Sequence, residues 1–382
     1  MSRINILYII TKPELGGAQL QLLSLMRGLE KERYTVFLFT GDDGLLLNDF
    51  RAMSGVHVRT SRFLVRPINP YKDLCVLFEI KNFIRENNIT IVHTHSSKAG
   101  IVGRLAARWA GAGMIFHTVH GWSFNNFQWW PVKRLFILLE RLAAGFTSRI
   151  IVVSEFDRKR GLAEGIGIEN GYCLIRYGID LLSFRVSYPG VRKEFGWDDS
   201  VLVVGNISCF KPQKEPLDFI KLAFLLKQKM KNRKKIKFVL VGDGVLRRRI
   251  ENLISALGLE GDVVLAGWRR DIPRLLAGMD IVVLTSLWEG FPISVLEAMA
   301  GSLPVVVTHT GGIGEVVIEG NTGFLVKPRD MPDMCEKILM LLNDEDLRER
   351  VGSQARKSLG DTYSTECMVC RHQELYKEHA YA

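Results

Sequence analysis

The chain has 382 residues, 47% of them hydrophobic and 24% charged, and carries a formal net charge of +10. That length exceeds what one hydrophobic core usually serves, so two domains are expected, large enough to fold without disulfides or structural metals. No run reaches the ~18 uninterrupted apolar residues of a membrane span, so a soluble or peripheral cytoplasmic protein is expected; the positive charge favours anionic partners, whether nucleotide phosphates, acidic lipids or nucleic acid.

The apolar start, residues 1–10, runs directly into polar Thr11–Glu14 without a small-residue cleavage site, and reads as a first strand rather than a signal peptide. Strand-like runs at 4–10, 36–40, 89–93, 114–119 and 150–153 then alternate with helical patterns, among them 18–29 and 101–110. The second half repeats the scheme with strands at 201–205, 236–241, 263–266, 281–285 and 305–308. Such alternation implies two α/β, Rossmann-like, doubly wound domains with parallel sheets. The irregular stretch 177–197, with Pro189, Gly190 and Gly196, separates them. The expected division is 1–185 and 186–382, with a last helix near 362–382 that is a candidate to cross back to the first domain. Ligands of such sheets bind beyond the carboxyl ends of the strands, so both domains should turn these loops toward a central cleft.

In the first domain, Gly16 and Gly17 end the loop after the first strand and open a helix, which lets backbone approach a phosphate; the spacing is not that of a dinucleotide fingerprint. His120 follows the strand at 114–119 and precedes Gly121, so it should project from a strand end. His93, His95 and His117 raise the question of a metal site. His93 and His95 are expected on opposite faces of a strand, no acidic ligand set accompanies them, and no Asp-x-Asp lies at a strand end, so metal is not expected. Cys367 and Cys370 form a C-x-x-C with no second pair. The aromatic and basic stretch 122–144 either meets a membrane interface through Trp129, Trp130, Lys133 and Arg134 or packs into its own domain. The basic run 231–235 reads as a solvated loop.

The most informative stretch is 286–312, SLWEGFPISVLEAMAGSLPVVVTHTGG. A Gly/Pro loop with Glu289, Gly290 and Pro292 precedes a helix opening near Ser294, and Phe291, Pro292, Ile293 and Ser294 are expected to present amides to a diphosphate. Glu297 lies on that helix. Were the whole span helical, the two glutamates would be ~12 Å apart, too far for the paired carboxylates of a glycosidase but suited to two ends of one extended ligand.

Glu289-x7-Glu297, followed by AMAGSLPVVVT and GGIGEVV, resembles the donor-site signature of the GT-B glycosyltransferases of family 4. Supporting matches are Gly16-Gly17-Ala18-Gln19, His120-Gly121, Gly178-Ile179-Asp180, Lys214, Gly242-Asp243-Gly244 and Asn321-Thr322-Gly323, in the family's order along nearly the whole chain. The resemblance implies that Glu297 binds the ribose of a nucleotide sugar, that Glu289 contacts hydroxyls of the donor sugar, and that His120 meets the sugar near its reacting carbon. It also implies ligand-facing roles for Gly16, Gly17 and Gly242, and nucleobase contacts near Trp268. Relatives commonly read Gly-Arg where this chain has Gly205-Asn206; Lys214 matches the family's lysine, while Lys211 either replaces the missing arginine charge or is solvated.

The implied reaction is transfer of a sugar from a nucleotide diphosphate donor to an acceptor hydroxyl with retention and without metal or other cofactor. His120, Glu289 and Lys214 are its catalytic candidates. A lipid-linked glycan in bacterial surface polysaccharide assembly is the implied acceptor. A nucleotide-sugar epimerase on a similar scaffold, or a basic nucleic-acid-binding protein, are the alternative readings.

Overall fold

The computed structural model describes residues 3–186, 188, 190–230 and 235–380. Pro189 and, except for Lys235, the basic run at 231–235 lie outside the described residues. The chain divides into two compact units, Met1–Gly178 with Thr365–Ala382, and Ile179–Ser364.

The first unit holds seven strands: β1 (Ile4–Ile10), β2 (Tyr34–Gly41), β3 (Val56–Ser61), β4 (Ile91–His95), β5 (Met114–Val119), β6 (Arg149–Val152) and β7 (Tyr172–Leu174). They form one sheet in the order β3-β2-β1-β4-β5-β6-β7, and every pair is parallel. The second unit holds β8 (Leu202–Ile207), β9 (Ile236–Val241), β10 (Val263–Gly267), β11 (Ile281–Leu284), β12 (Val305–Thr308) and β13 (Phe324–Val326), in the order β10-β9-β8-β11-β12-β13. These pairs are parallel too. Strand order reverses between β1 and β4 and between β8 and β11, and such reversals are where doubly wound sheets open for ligands.

Helices cover both faces of each sheet, which is why the central strands are apolar runs rather than alternating ones: Ile6, Leu7, Tyr8, Ile9 and Ile10 of β1 are all fully buried. One face of the first sheet packs against Leu22 and Met26 from the helix Gly17–Gly28 and Leu375 and Tyr376 from the helix Thr365–Ala380. The other packs against Val76, Ile80, Ala99 and Ala106. In the second unit Phe219, Leu222 and Leu226 meet Phe238, Leu240 and Ile281.

The division falls at Gly178/Ile179, not at 185/186. Ile179 bridges to Ser364, and its N–H donates to the Tyr363 carbonyl at 2.9 Å, so the chain after Gly178 is already part of the second unit. The final helix belongs to the first unit, where Val369 lies so close to Gly28 that a Cβ there would meet its Cγ2 at 2.6 Å.

Candidate functional site

In the second unit, the loop leaving β8 makes a short 3-10 turn, Pro212–Lys214, that docks on the loop leaving β11. Gln213 Nε2 donates to the Trp288 carbonyl at 2.9 Å, and the Leu287 N–H donates to the Gln213 carbonyl at 2.8 Å. This sets Lys214 Nζ 2.5 Å from Glu289 Oε1, which also accepts from Ser286 Oγ at 2.6 Å. Glu289 is 8% exposed, so the pair is largely removed from solvent. A third segment holds the loop from the far side: Gly312 N–H donates to the Gly290 carbonyl at 2.9 Å. Gly311 adopts φ +59°, and a Cβ there would lie 2.2 Å from the Glu289 carbonyl, so both the conformation and the approach require glycine.

The helix after this loop is Ile293–Ala300; its N-cap is Pro292 and no side chain caps it. Pro292 has no N–H, so the expected row of four amides is interrupted, and Phe291 is buried, stacking on Tyr363 with ring centroids 6.1 Å apart. Only the second half of the Glu289 to Glu297 span is helical. The Glu297 carboxyl has no hydrogen-bond partner among the described residues and, although part of the residue's surface reaches solvent, desolvation pushes it up to about 7.

The other expected donor residues ring the same strand ends. Asn206 is fully buried on β8, its Oδ1 accepting from Ser208 Oγ at 2.7 Å while Nδ2 has no partner among the described residues. Lys211 precedes the 3-10 turn. Gly242 follows β9 at φ +131°, where a Cβ would meet the Ser208 carbonyl at 2.1 Å. Trp268 follows β10 and is 40% exposed.

In the first unit, Gly16 is the extended N-cap of the helix Gly17–Gly28, which has no side-chain cap and no acidic residue in its first turn. At the reversal between β1 and β4, Ser96 is held at φ 61°, ψ 160°, a conformation that glycine favours and that costs ~1–3 kcal/mol. Its Oγ lies 2.8 Å from Thr11 Oγ1.

His120 leaves the end of β5 between two aromatic partners. Its Nδ1 is 2.7 Å from Tyr177 Oη and its Nε2 is 2.9 Å from His95 Nδ1. The rings stack on Tyr177 at 5.7 Å and on His95 at 5.2 Å. Behind them His93 Nδ1 contacts Tyr376 Oη at 2.6 Å, and its Nε2 contacts Thr118 Oγ1 at 2.7 Å. His93 and His95 do not point to opposite faces: they are two residues apart on β4, one full pleat period, and their ring centroids are 4.3 Å apart. His117 turns to the opposite side and contacts Thr94 Oγ1 at 2.9 Å.

Burial holds this cluster neutral. Desolvation, then the repulsion that a protonated His372 would exert, pushes His120 down to about 3, and desolvation pushes His372 down to about 4. Desolvation likewise lowers His93, His95 and His117 well below the ordinary histidine value. Among the described residues no group of three His, Cys, Asp or Glu side chains could hold a metal ion.

The stretch 122–144 is packed on one side and exposed on the other. Trp122 and Phe124 are buried in a cluster with Ile137, and the helix Trp130–Ala144 also buries Glu140 and Ala143. Its outer side leaves Trp129 71%, Trp130 63%, Leu138 52% and Leu142 61% exposed. Glu140 forms a buried ion pair with Arg104 at 2.5 Å. No helix among the described residues is long and apolar enough to cross a membrane.

Residues 15–181 match the family model for Glycosyltransferase Family 4, and residues 189–358 match that for Glycosyl transferases group 1. The chain is 31% identical, over 98% of its length and 97% of the relative, to the UDP-Gal:alpha-D-GlcNAc-diphosphoundecaprenol alpha-1,3-galactosyltransferase of Escherichia coli. It belongs to the group 1, family 4 glycosyltransferases. This glycosyltransferase is also 30% identical, over 93% of its length and 94% of the relative, to the N,N'-diacetylbacillosaminyl-diphospho-undecaprenol alpha-1,3-N-acetylgalactosaminyltransferase of Campylobacter jejuni. Its fold is GT-B: Anabaena HepE, solved with UDP and glucose, superposes with a TM-score of 0.84 over 98% of this chain and 100% of HepE, at 22% identity. The relatives lend no support to the epimerase or nucleic-acid-binding readings.

Sequence reading missed Ser286, His95 and Tyr177 as parts of the site. In sequence His95 stands out only as a possible metal ligand, and Tyr177 carries no local signal because its role depends on where β5 and β7 lie in the sheet.

Proposed function

We propose that this glycosyltransferase moves a sugar from a nucleoside diphosphate donor to a hydroxyl of a lipid-linked glycan, with retention of anomeric configuration, in the assembly of a bacterial surface polysaccharide. The observation that carries this reading is the docking of Lys214 on Glu289 in the loop that leads into the helix bearing Glu297, in a chain 31% identical to a transferase that is named for a diphosphoundecaprenol-linked acceptor.

In the proposed reaction the bond from the anomeric carbon to the diphosphate breaks and the acceptor oxygen bonds to the same face, its proton passing to the departing diphosphate. Lys214, with Lys211 nearby in sequence, stabilises the charge that grows on the leaving group. Glu289 accepts hydrogen bonds from the donor sugar, Glu297 from the ribose, and neutral His120 contacts the sugar near the reacting carbon. Asn206, Gly242, Trp268 and the backbone from Gly290 to Ser294 complete donor binding, and Gly16 and Gly17 keep the ligand-facing roles that the family resemblance implies. Donor binding through lysines and helix-end amides requires no metal.

The exposed row on the helix Trp130–Ala144, beside Lys133, Arg134 and Arg141, suits an anionic membrane surface and supports a peripheral position of the enzyme beside a lipid-linked acceptor.

The test is transfer from a panel of labelled nucleotide sugars to polyprenyl-diphosphate-linked sugars, with the product's anomeric configuration read by NMR. A retained linkage is expected. An inverted linkage, or sugar epimerised without transfer when donor is supplied alone, overturns the reading.

A further inference from the structure

Gln21, from the helix Gly17–Gly28, grips the backbone of Gly178 at both polar atoms: its Nε2 donates to the Gly178 carbonyl at 2.8 Å and its Oε1 accepts from the Gly178 N–H at 2.9 Å. Gln21 is itself buried, 5% exposed. This clamp fixes the residue just before it, Tyr177, which is 4% exposed and stacks on His120. A buried side chain locked by its own neighbours is what holds a reacting group within the narrow tolerance that catalysis demands.

Tyr177 Oη and His120 Nδ1, 2.7 Å apart, must share one proton in one of two directions. A phenol is a strong donor, and the unprotonated nitrogen of a neutral imidazole is a good acceptor. The favoured direction is O–H to Nδ1. His120 then carries its proton on Nε2, and that N–H points at His95 Nδ1, 2.9 Å away. His95, accepting at Nδ1, carries its own proton on Nε2. That atom is buried without a hydrogen-bond partner among the described residues, at the edge of a small cavity also lined by Gln21, Arg176 and His372.

We propose that Tyr177, clamped through Gln21, is a positioning residue that presents His120 as the neutral tautomer with an Nε2–H donor. This rests on the reading of His120 as the group that contacts the donor sugar. A sugar oxygen takes the place of His95 Nδ1 as acceptor of that N–H, so His95 serves as the resting partner of the same bond. With the opposite tautomer, His120 would offer Nε2 as a bare lone pair and could not donate to a sugar oxygen; a misplaced proton disables a catalytic histidine even where its position is unchanged.

The test uses the full chain with 15N-labelled histidine and the variants Y177F, Q21L, H120A and H120A/Y177F. In wild type the 15N shifts of His120 should show Nδ1 unprotonated and Nε2 protonated, and His95 should show the same. Y177F should mix or reverse the His120 pattern and lower kcat about tenfold or more while donor KM stays within about twofold. Q21L, which keeps the phenol but loosens its anchor, should fall between the two. In the H120A background Y177F should add no further loss. A wild-type spectrum with the His120 proton on Nδ1, an unchanged spectrum in Y177F, or an equal loss of turnover from Y177F with and without His120 each overturns the proposal. Normal turnover in H120A overturns the reading of His120 instead, and the tautomer measurement still decides the role of Tyr177.

Discussion

Glu297 gives the sharpest quantitative test of the donor site, because without ligand its carboxyl is pushed up to about 7 by desolvation alone. Ribose hydroxyls donating to the carboxylate are expected to favour the ionised form by ~1.5–3 kcal/mol, the range for hydrogen bonds to charged groups. At 1.36 kcal/mol per unit, that brings the bound-state value to about 5 to 6. Nucleotide binding should then weaken as pH falls through 7, reaching about 8- to 25-fold at pH 5.5 relative to alkaline pH. The terminal phosphate of a nucleoside diphosphate titrates near the same range, at about 6, so the wild-type curve alone does not isolate the carboxyl. Isothermal titration of UDP against wild type and E297Q between pH 5.5 and 8.5 removes that contribution, since both proteins share it. The ratio of their dissociation constants should widen as pH rises and level off above about 8. If the two proteins show the same pH dependence, or E297Q binds as tightly as wild type at pH 8, Glu297 does not hold the ribose.

Other perturbations read different parts of the molecule. Unliganded E297Q should melt at a higher temperature than wild type at pH 8. A carboxyl raised in the folded state contributes stability at pH values below its unfolded value, and that stability is lost as pH rises through about 7; with partial solvent access the effect is ~1–3 kcal/mol, and equal melting temperatures would refute it. The buried histidines have the opposite sign: His120 at about 3 and His372 at about 4 contribute stability that is full above about 6.5 and is lost as pH falls through those values, so acid melts followed by circular dichroism should show steady loss below pH 6. H120A should lower kcat by ~10² while leaving nucleotide affinity unchanged, which separate turnover and titration measurements check. Gly311→Ala should impair donor binding by displacing the Glu289 carbonyl, which the new Cβ would approach to 2.2 Å; unchanged donor KM would contradict this. Activity should survive chelation by EDTA, and loss with rescue by Mg²⁺ or Mn²⁺ would reverse the metal-free proposal. Replacing Trp129, Trp130, Lys133 and Arg134 together should reduce binding to anionic liposomes without altering nucleotide affinity; undiminished liposome binding would remove this surface from the membrane.

The interior strands were legible because helices on both faces of a parallel sheet demand long apolar runs, and β1, β8 and β11 are such runs. The strands that sequence reading missed are β3, β7 and β13, and each is an edge strand. β3 alternates partly buried with exposed residues until its last position, and β7 and β13 have only three residues each, so no apolar run betrays them. Boundaries shifted for a related reason. β4 was expected at 89–93 but spans Ile91–His95, because the buried histidines at its end look polar in sequence yet lie in the sheet's interior. The opposite-face expectation for His93 and His95 misapplied the strand period: neighbours alternate, second neighbours coincide.

The donor loop and the histidine cluster differ in how far local sequence could carry. Glu289, Gly290, Pro292 and Glu297 occur within one short segment, so spacing and order suffice to group them, and only the docking of Lys214 on Glu289 required the fold. His95, His120 and Tyr177 come from three separate strand ends, and what unites them is register. Parallel pairing sets His95 opposite Thr118 and Val152 opposite Leu174, so the residues that emerge just past β5 and β7 come within reach of His95 and of each other. A slip of one residue between β4 and β5 would put His95 on the wrong side of the sheet relative to His120 and sever the bond at Nε2. The apolar runs that bury β4 and β5 on both faces therefore fix more than stability: they also fix which partner meets Nε2 of His120, and through it the chemistry that the strand end offers.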